Sequence, residues 1–295
     1  MLFHFTQKGT CHAENTFQRL ALAASIGLAC AATTTVVLAN HSWGGYHWAR
    51  TTAQFTLKLG NNVTTTDWNS RLSRASSDWN SGNTPLLTAI VAGKSNTSCA
   101  MVAGTTQVCN RSYGSTGWLG LASINLSGSH ITQGSAKMND TYFNTATYNN
   151  PNERQHVMCQ EIAHTFGLDH QSTDGSSQNS CMDYFSNTGA NAGSTLSIKP
   201  NQHDFDQLKS IYAHLDSSTT AAAMAAMAAQ SADADVTDDA ASWGSLVRQS
   251  ANGRSSTYER YNQDGSVTRS HVYWTLEAAE KNPSGDHRRD YIKHR

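Results

Sequence analysis

The ends of one helix are the feature of this sequence that most constrains its fold. Asn150 is a capping residue, Pro151 suits the first helical position, and Glu153 lies three residues after the cap, a combination typical of a helix start. Gly167 is a residue type that commonly ends a helix. The sequence therefore predicts a helix over residues 151–166, and the rest of the fold has to be arranged around it.

Four polar residues on and after this helix predict a metal site. Gln160 and His164 are one turn apart and share a face, with Glu161 beside them. His170 follows the glycine bend and can fold back toward the same face. Two histidines and a carboxylate that converge in this way are typical of a zinc site with a base for the metal-bound water.

The segments around this helix predict a layered α/β fold. Residues 54–59 alternate like a strand, and apolar side chains at one-turn spacing over residues 68–79 predict a helix. Further strands are predicted over residues 85–92, 120–126 and 131–138, and a second helical stripe covers residues 201–215. This order of elements implies a sheet with helices on one face.

The first 39 residues have the character of a secretory signal. Lys8 and Arg19 precede an uncharged run that ends at Ala39, and we predict cleavage after that alanine. Two alternatives stay open, namely an uncleaved membrane anchor and lipid attachment at Cys30.

Composition divides the remaining chain into three parts. Residues 40–216 carry the patterned apolar positions and form the predicted main domain. Residues 217–241 are rich in Ala, Ser and Asp and are interpreted as a linker. Residues 242–295 contain one predicted β-hairpin, with its turn at residues 262–265, and a charged tail. A lone hairpin is only marginally stable in water. We therefore expect this one to pack against the main domain, against a partner, or against neither.

The charge balance argues against one class of partner. The chain has 21 Lys and Arg against 22 Asp and Glu, a net charge of -1. Duplex nucleic acids are bound by clusters of Lys and Arg that neutralise phosphates. We therefore expect no nucleic-acid partner.

The metal-site pattern resembles the signature of the metzincin zinc peptidases, HExxHxxGxxH followed by a turn that contains Met. The segment 160–170 reads QEIAHTFGLDH, and Met182 lies in a later CMDY sequence that ends at Tyr184. The resemblance covers about residues 51–215. It implies a metzincin-like catalytic domain of α/β or α+β class, with a twisted, mostly parallel sheet, an active-site helix and a C-terminal helix.

The resemblance also implies roles for individual residues. His164 and His170 would bind Zn²⁺, and Glu161 would act as general base. Met182 would form a packed floor beneath the ligands. Tyr184 would reach the metal or the developing oxyanion.

One residue departs from the family signature, because Gln160 stands where the family has its first His ligand. Three explanations stay open. Gln160 binds zinc through its amide oxygen, another group takes its place, or metal and activity are lost. The candidates for a substitute are His156, His130 and His203.

Four cysteines remain once Cys11 and Cys30 leave with the signal, and an even number in an oxidising compartment predicts two disulfides. Their positions favour a bridge from Cys159 to Cys181, which would tie the metal-bearing helix to the Met-containing turn. Cys99 and Cys109 would then close a surface loop.

These observations predict a secreted, monomeric, zinc-dependent endopeptidase that acts on a protein or peptide substrate. Contact with a membrane is expected only if the N-terminal segment stays uncleaved. The alternative is a metzincin-like secreted binding protein that is catalytically inactive because Gln160 has weakened or abolished zinc binding.

Overall fold

A computed structural model describes residues 40–94, 98–221, 238–281 and 286–287 of the chain. All of them belong to one compact unit, Leu38–Arg295. The predicted signal peptide and most of the predicted linker lie outside the described residues.

The described residues form one sheet of nine strands. Its order is β3, β2, β4, β6, β5, β9, β8, β7, and β1 lies beside β6. The strands are β1 (His47–Trp48), β2 (Phe55–Asn62), β3 (Leu86–Ala92), β4 (Thr105–Arg111), β5 (Trp118–Ser127), β6 (His130–Asn139), β7 (Ser245–Gln249), β8 (Ser255–Tyr261) and β9 (Val267–Trp274).

The sheet is mixed, with a parallel half and an antiparallel half. The pairs β1/β6, β2/β3, β2/β4 and β4/β6 are parallel. The pairs β5/β6, β5/β9, β7/β8 and β8/β9 are antiparallel. Within the predicted main domain the described strands form four parallel pairs and one antiparallel pair, which agrees with the prediction of a mostly parallel sheet there, and the C-terminal strands extend the sheet with antiparallel pairs.

The predicted hairpin is present as β8 and β9, and it pairs with the main sheet. Strand β9 lies along nearly the whole of β5, from Trp118 opposite Trp274 to Leu126 opposite Val267. Of the three placements left open by the sequence, the structure has the first. Successive side chains of β9 point to opposite faces of the sheet. Val272 and Trp274 therefore lie in one apolar cluster, and Tyr273 lies in the other, larger one.

Five α-helices occur in the described ranges: α1 (Thr66–Asn80), α2 (Asp140–Phe143), α3 (Pro151–His164), α4 (Gln202–Ile211) and α5 (Leu276–Lys281). None of the helices in this part of the chain combines the length and apolar character needed to span a membrane.

The central helix α3 begins where the sequence indicates. The Asn150 side chain accepts hydrogen bonds from the backbone N–H groups of Asn152 and Glu153, and proline occupies the first turn. The helix ends at His164, two residues earlier than predicted. Gly167 then turns the chain with a φ of +95°, and a Cβ there would lie 2.0 Å from the Tyr46 carbonyl oxygen. Only glycine fits this bend without strain.

Both predicted disulfides are confirmed. Cys99 is bonded to Cys109, and Cys159 is bonded to Cys181. The second bridge joins α3 to the turn that contains Met182, which fixes the part of α3 where the metal-site residues lie.

Candidate metal centre

Three buried histidines converge at the end of α3. His164 comes from the last position of that helix, His170 follows the Gly167 bend, and His271 comes from β9. One ligand nitrogen from each lies within 4.8 Å of the others. The ring centroids of His164 and His271 are 3.9 Å apart, and each is less than 5 Å from the His170 ring. The spacing and residue type suit a three-histidine zinc site.

The first two histidines are oriented through the nitrogen that faces away from the cluster. Nδ1 of His164 is 2.8 Å from the carbonyl oxygen of Leu168, which can only accept, so this nitrogen carries the proton. Nδ1 of His170 lies 2.9 Å from the Tyr184 hydroxyl and 3.3 Å from the Asp169 carboxylate. Within the described structure, Nε2 of each ring is buried without a hydrogen-bond partner. Metal-binding histidines are typically held in this manner.

His271 is the site residue that the sequence analysis missed. It lies opposite Ala122 on β5, and neither of its ring nitrogens has a hydrogen-bond partner among the described residues. It shares a strand face with Tyr273, two positions on, and both side chains are therefore directed toward α3. The signal available in the sequence was this alternation, but nothing there showed that the hairpin would pair with β5.

Burial keeps the three imidazoles neutral. It lowers the pKa of His164 to about 3, with a further lowering from the neighbouring His170. Burial also lowers the pKa of His170, and it lowers that of His271 well below its ordinary value. Neutral imidazole is the form that binds a metal ion.

The carboxylate of Glu161 lies beside the cluster and is fully buried. Its Oε2 is 3.7 Å from Nδ1 of His271, and its Oε1 lies against Gly120, where a Cβ would be only 2.3 Å away. Burial raises the pKa of Glu161 well above its ordinary value. The absence of a side chain at Gly120 is thus what makes room for the carboxylate on the sheet side of α3.

Gln160 ties α3 to the Met182 turn. Its amide nitrogen donates to the carbonyl oxygens of Cys181, at 3.0 Å, and Asp183, at 2.9 Å. Because carbonyls only accept, these contacts fix which end of the amide faces the turn. The Oε1 atom is buried with no hydrogen-bond partner in the described part of the chain. Zinc binding through that oxygen therefore stays a prediction.

None of the three histidines considered as substitutes belongs to the cluster around His164 and His170. His156 lies against the Asp183 carbonyl and the Asn187 side chain. His130 lies beside Asp216, and His203 stacks on His41. The third imidazole comes from the C-terminal strand instead.

Tyr184 and Met182 occupy positions next to the centre. The Tyr184 hydroxyl contacts both Nδ1 of His170 and the Ser255 hydroxyl of β8. In this arrangement Tyr184 orients a histidine, and its predicted contact with an oxyanion would require it to leave Ser255. Met182 is fully buried, and its backbone carbonyl accepts from the N–H of Gln171.

The whole centre is closed to solvent. The exposed fraction is 0% for Glu161, 1% for His164, 2% for His271 and 6% for His170. Strand β9 and the Trp43 ring, which lies edge-on to His164 and His271, contribute to this cover. A molecule from solvent cannot reach Glu161 while β9 is in place.

No protein-family model and no curated protein matches the sequence. Among solved structures, the chain is similar to high choriolytic enzyme 1, a hatching enzyme zinc-protease from the medaka fish Oryzias latipes. The TM-score is 0.34, with 10% identity over 59% of this chain and 99% of that one. It is also similar to myroilysin, with a TM-score of 0.32 and 13% identity over 57% of this chain and 84% of that one. TM-scores of this size carry no functional argument.

Proposed function

We propose that the chain is a zinc-dependent endopeptidase whose metal is held, in the closed arrangement described here, by His164, His170 and His271. The observation that carries the proposal is the convergence of three neutral, buried imidazoles beside the buried side chain of Glu161. Zinc in such a site supplies Lewis acidity toward a carbonyl oxygen and lowers the pKa of a bound water.

The residues around the metal have distinct tasks in this proposal. Glu161 accepts a proton from the attacking water at Oε2 and delivers it to the leaving amine, as a general base and then a general acid. Tyr184 and Asp169 hold the ring of His170, and the Leu168 carbonyl holds that of His164. Gln160 fixes the Met182 turn through its amide nitrogen. The amide oxygen of Gln160 has no hydrogen-bond partner among the described residues, and it would replace His271 as a zinc ligand when β9 withdraws.

Hydrolysis requires that a peptide reach Glu161, so the closed arrangement has to open. Withdrawal of β9 would uncover both the carboxylate and the edge of β5. A free strand edge can pair with an extended peptide. The proposed substrate is accordingly a protein or peptide in extended conformation, bound along β5.

A disulfide between β5 and β9 should lock the enzyme closed. Ser123 and Ser270 are directly opposed and fully buried, with their hydroxyl oxygens 2.9 Å apart. Oxidation of the double variant Ser123→Cys, Ser270→Cys is expected to lower peptidase activity about tenfold or more, because opening would then be blocked. Activity on a casein substrate would be measured before and after mild reduction.

The single variant Ser123→Cys, treated in the same way, controls for the native disulfides. Full activity of the oxidised double variant, with the bridge verified by peptide mapping, would mean that β9 does not move during turnover.

Gly120→Ala tests whether activity depends on the position of the Glu161 carboxylate when zinc binding is left intact. The new methyl group would meet Oε1 of Glu161 at 2.3 Å and displace the carboxylate. A shift of about 1 Å in a catalytic group can cost on the order of 100-fold in rate. We expect a loss of that size in kcat/KM with an unchanged zinc content. Gly193→Ala is the matched control, since no atom lies within 4 Å of the Cβ position there; equal activity of the two variants would contradict the placement of Glu161.

A second candidate function is a zinc-binding protein without catalysis, and the complete burial of the centre favours it. Metal analysis of the secreted protein, with a casein assay before and after a chelator, distinguishes the two functions. Chelator-sensitive cleavage supports the peptidase. Bound zinc without any cleavage supports the binding protein.

Secretion, a monomeric state and the absence of a nucleic-acid partner are part of the same proposal, with membrane contact only if the N-terminal segment stays uncleaved. The two disulfides support an oxidising compartment, where such bridges persist. N-terminal sequencing of the exported protein would test the predicted cleavage after Ala39.

A further inference from the structure

We infer that His47, His214 and Asp216 form a second metal site, which binds a divalent transition-metal ion such as zinc. The three side chains offer ligand atoms that lie within 4.8 Å of one another. None of them belongs to the centre formed by His164, His170 and His271, so the inference does not depend on the proposed peptidase function.

The separations between the ligand atoms suit a single ion. Nε2 of His214 lies 3.2 Å from Nε2 of His47 and 3.5 Å from Oδ1 of Asp216. Nε2 of His47 lies 3.4 Å from the same carboxylate oxygen. Tetrahedral zinc with bonds of about 2.0 to 2.1 Å places its ligand atoms about 3.3 Å apart. The cluster therefore has nearly the dimensions of a zinc site.

The His47 ring is oriented so that one nitrogen faces the other two ligands. Its Nδ1 lies 3.0 Å from the carbonyl oxygen of Gly45, which can only accept, so Nδ1 carries the proton. Nε2 is therefore the nitrogen that faces the Asp216 carboxylate, 3.4 Å away. A positive charge between these two atoms favours their approach, and either a proton on Nε2 or a metal ion supplies it. A bound metal ion satisfies both atoms.

The other ends of the ligands are held by backbone groups, as in known metal sites. Oδ2 of Asp216 accepts from the backbone N–H of Arg50, at 2.9 Å, which leaves Oδ1 to face the histidines. His130 supplies a further imidazole, with Nε2 3.2 Å from Oδ1 of Asp216. His130 is therefore the nearest protein group for a fourth ligand, and a water molecule is the alternative.

The site is accessible to ions and joins distant parts of the chain. The side chain of His214 is 53% exposed and that of His130 is 34% exposed, whereas His47 and Asp216 are below 10%. His47 lies on β1, and His214 and Asp216 follow α4. A metal ion bound to these residues would link β1, near the start of the main domain, to the segment that follows α4. Imidazole and carboxylate ligands favour zinc and its neighbours over calcium or magnesium.

The test is the zinc stoichiometry of the full-length secreted protein and of single variants. Each sample is stripped with chelator, reloaded with zinc, passed through a desalting column and measured by elemental analysis. We expect two zinc ions per wild-type chain and one per chain of His214→Ala. That variant removes an exposed side chain, so folding is not at risk. Asp216→Asn, which keeps an oxygen for the Arg50 N–H, should lose the same ion.

His203→Ala is the matched control, because His203 is a partly exposed histidine outside the cluster, and it should retain two ions. Equal zinc content in wild type and His214→Ala would overturn the inference. One ion in the wild type and none in His214→Ala would support this site and refute the centre at His164. Loss of one ion from His203→Ala as well would show nonspecific binding to surface histidines and would also overturn it.

Discussion

Glu161→Gln is expected to abolish peptide hydrolysis while the protein keeps its zinc. The change removes the ability to accept a proton and one negative charge but keeps nearly the same shape, and Glu161 makes no hydrogen bond that holds another side chain of the described structure. General-base catalysis contributes about 100- to 10,000-fold to such reactions. We expect a loss of about 1,000-fold in kcat/KM, measured with a fluorogenic peptide, and an unchanged zinc content.

Glu280→Gln, an exposed change on α5, serves as the control for handling and for the loss of one negative charge. The variants should be compared after the metal content of each has been measured. Activity of Glu161→Gln within a few-fold of the wild type would refute Glu161 as the base. A loss of zinc together with activity would point to a structural role for the carboxylate instead.

The local parts of this centre could be predicted because they lie within a short stretch of chain. The capping of α3 by Asn150, the one-turn spacing along the helix and the Gly167 bend place Glu161, His164 and His170 through interactions between near neighbours. The Cys159 to Cys181 bridge followed from the position of each cysteine one residue before a site residue. Such short-range patterns are largely independent of how the rest of the chain folds.

The third histidine could not be predicted because a long-range strand pair places it. Ala122 and His271 are opposed across β5 and β9, far apart in sequence. Alternation in the hairpin indicates which residues share a face, but it carries no information about the strand with which β9 pairs. For the same reason the antiparallel extension of the sheet could not be predicted, since β9 adds itself, β8 and β7 beyond the edge of β5.

Gln160 was the third ligand expected from the sequence, whereas His271 is the third imidazole that lies beside His164 and His170 in the structure. Helix spacing correctly placed Gln160 on the face of His164, but spacing does not reveal that two turn carbonyls bind its amide nitrogen. A side chain in the signature position can thus stabilise the fold, while a residue outside the signature offers the nitrogen atom for the metal. Substitution of each residue in turn would show whether Gln160 or His271 controls the zinc affinity.

His271→Leu is expected to weaken zinc binding about 100-fold or more, because removal of even an outer-shell partner costs about 10- to 100-fold. Leucine fills a similar volume, and neither nitrogen of His271 makes a hydrogen bond among the described residues, so the polar contact that the change removes is the one between Nδ1 and Glu161 Oε2, at 3.7 Å. Zinc affinity would be measured by competition with a chromogenic chelator, in the background of His214→Ala so that the inferred second site does not contribute. Circular dichroism would confirm the fold.

Gln160→Met is the informative companion to His271→Leu, since methionine approximates the volume of glutamine and removes both the amide nitrogen and the oxygen. If His271 is the third ligand of the closed form, Gln160→Met lowers stability through its two lost hydrogen bonds, each worth about 1 kcal/mol, and leaves zinc affinity nearly unchanged. The reverse ranking, with affinity lost in Gln160→Met and retained in His271→Leu, would restore Gln160 as the ligand. Strand β9 would then cover the centre without contributing to its metal.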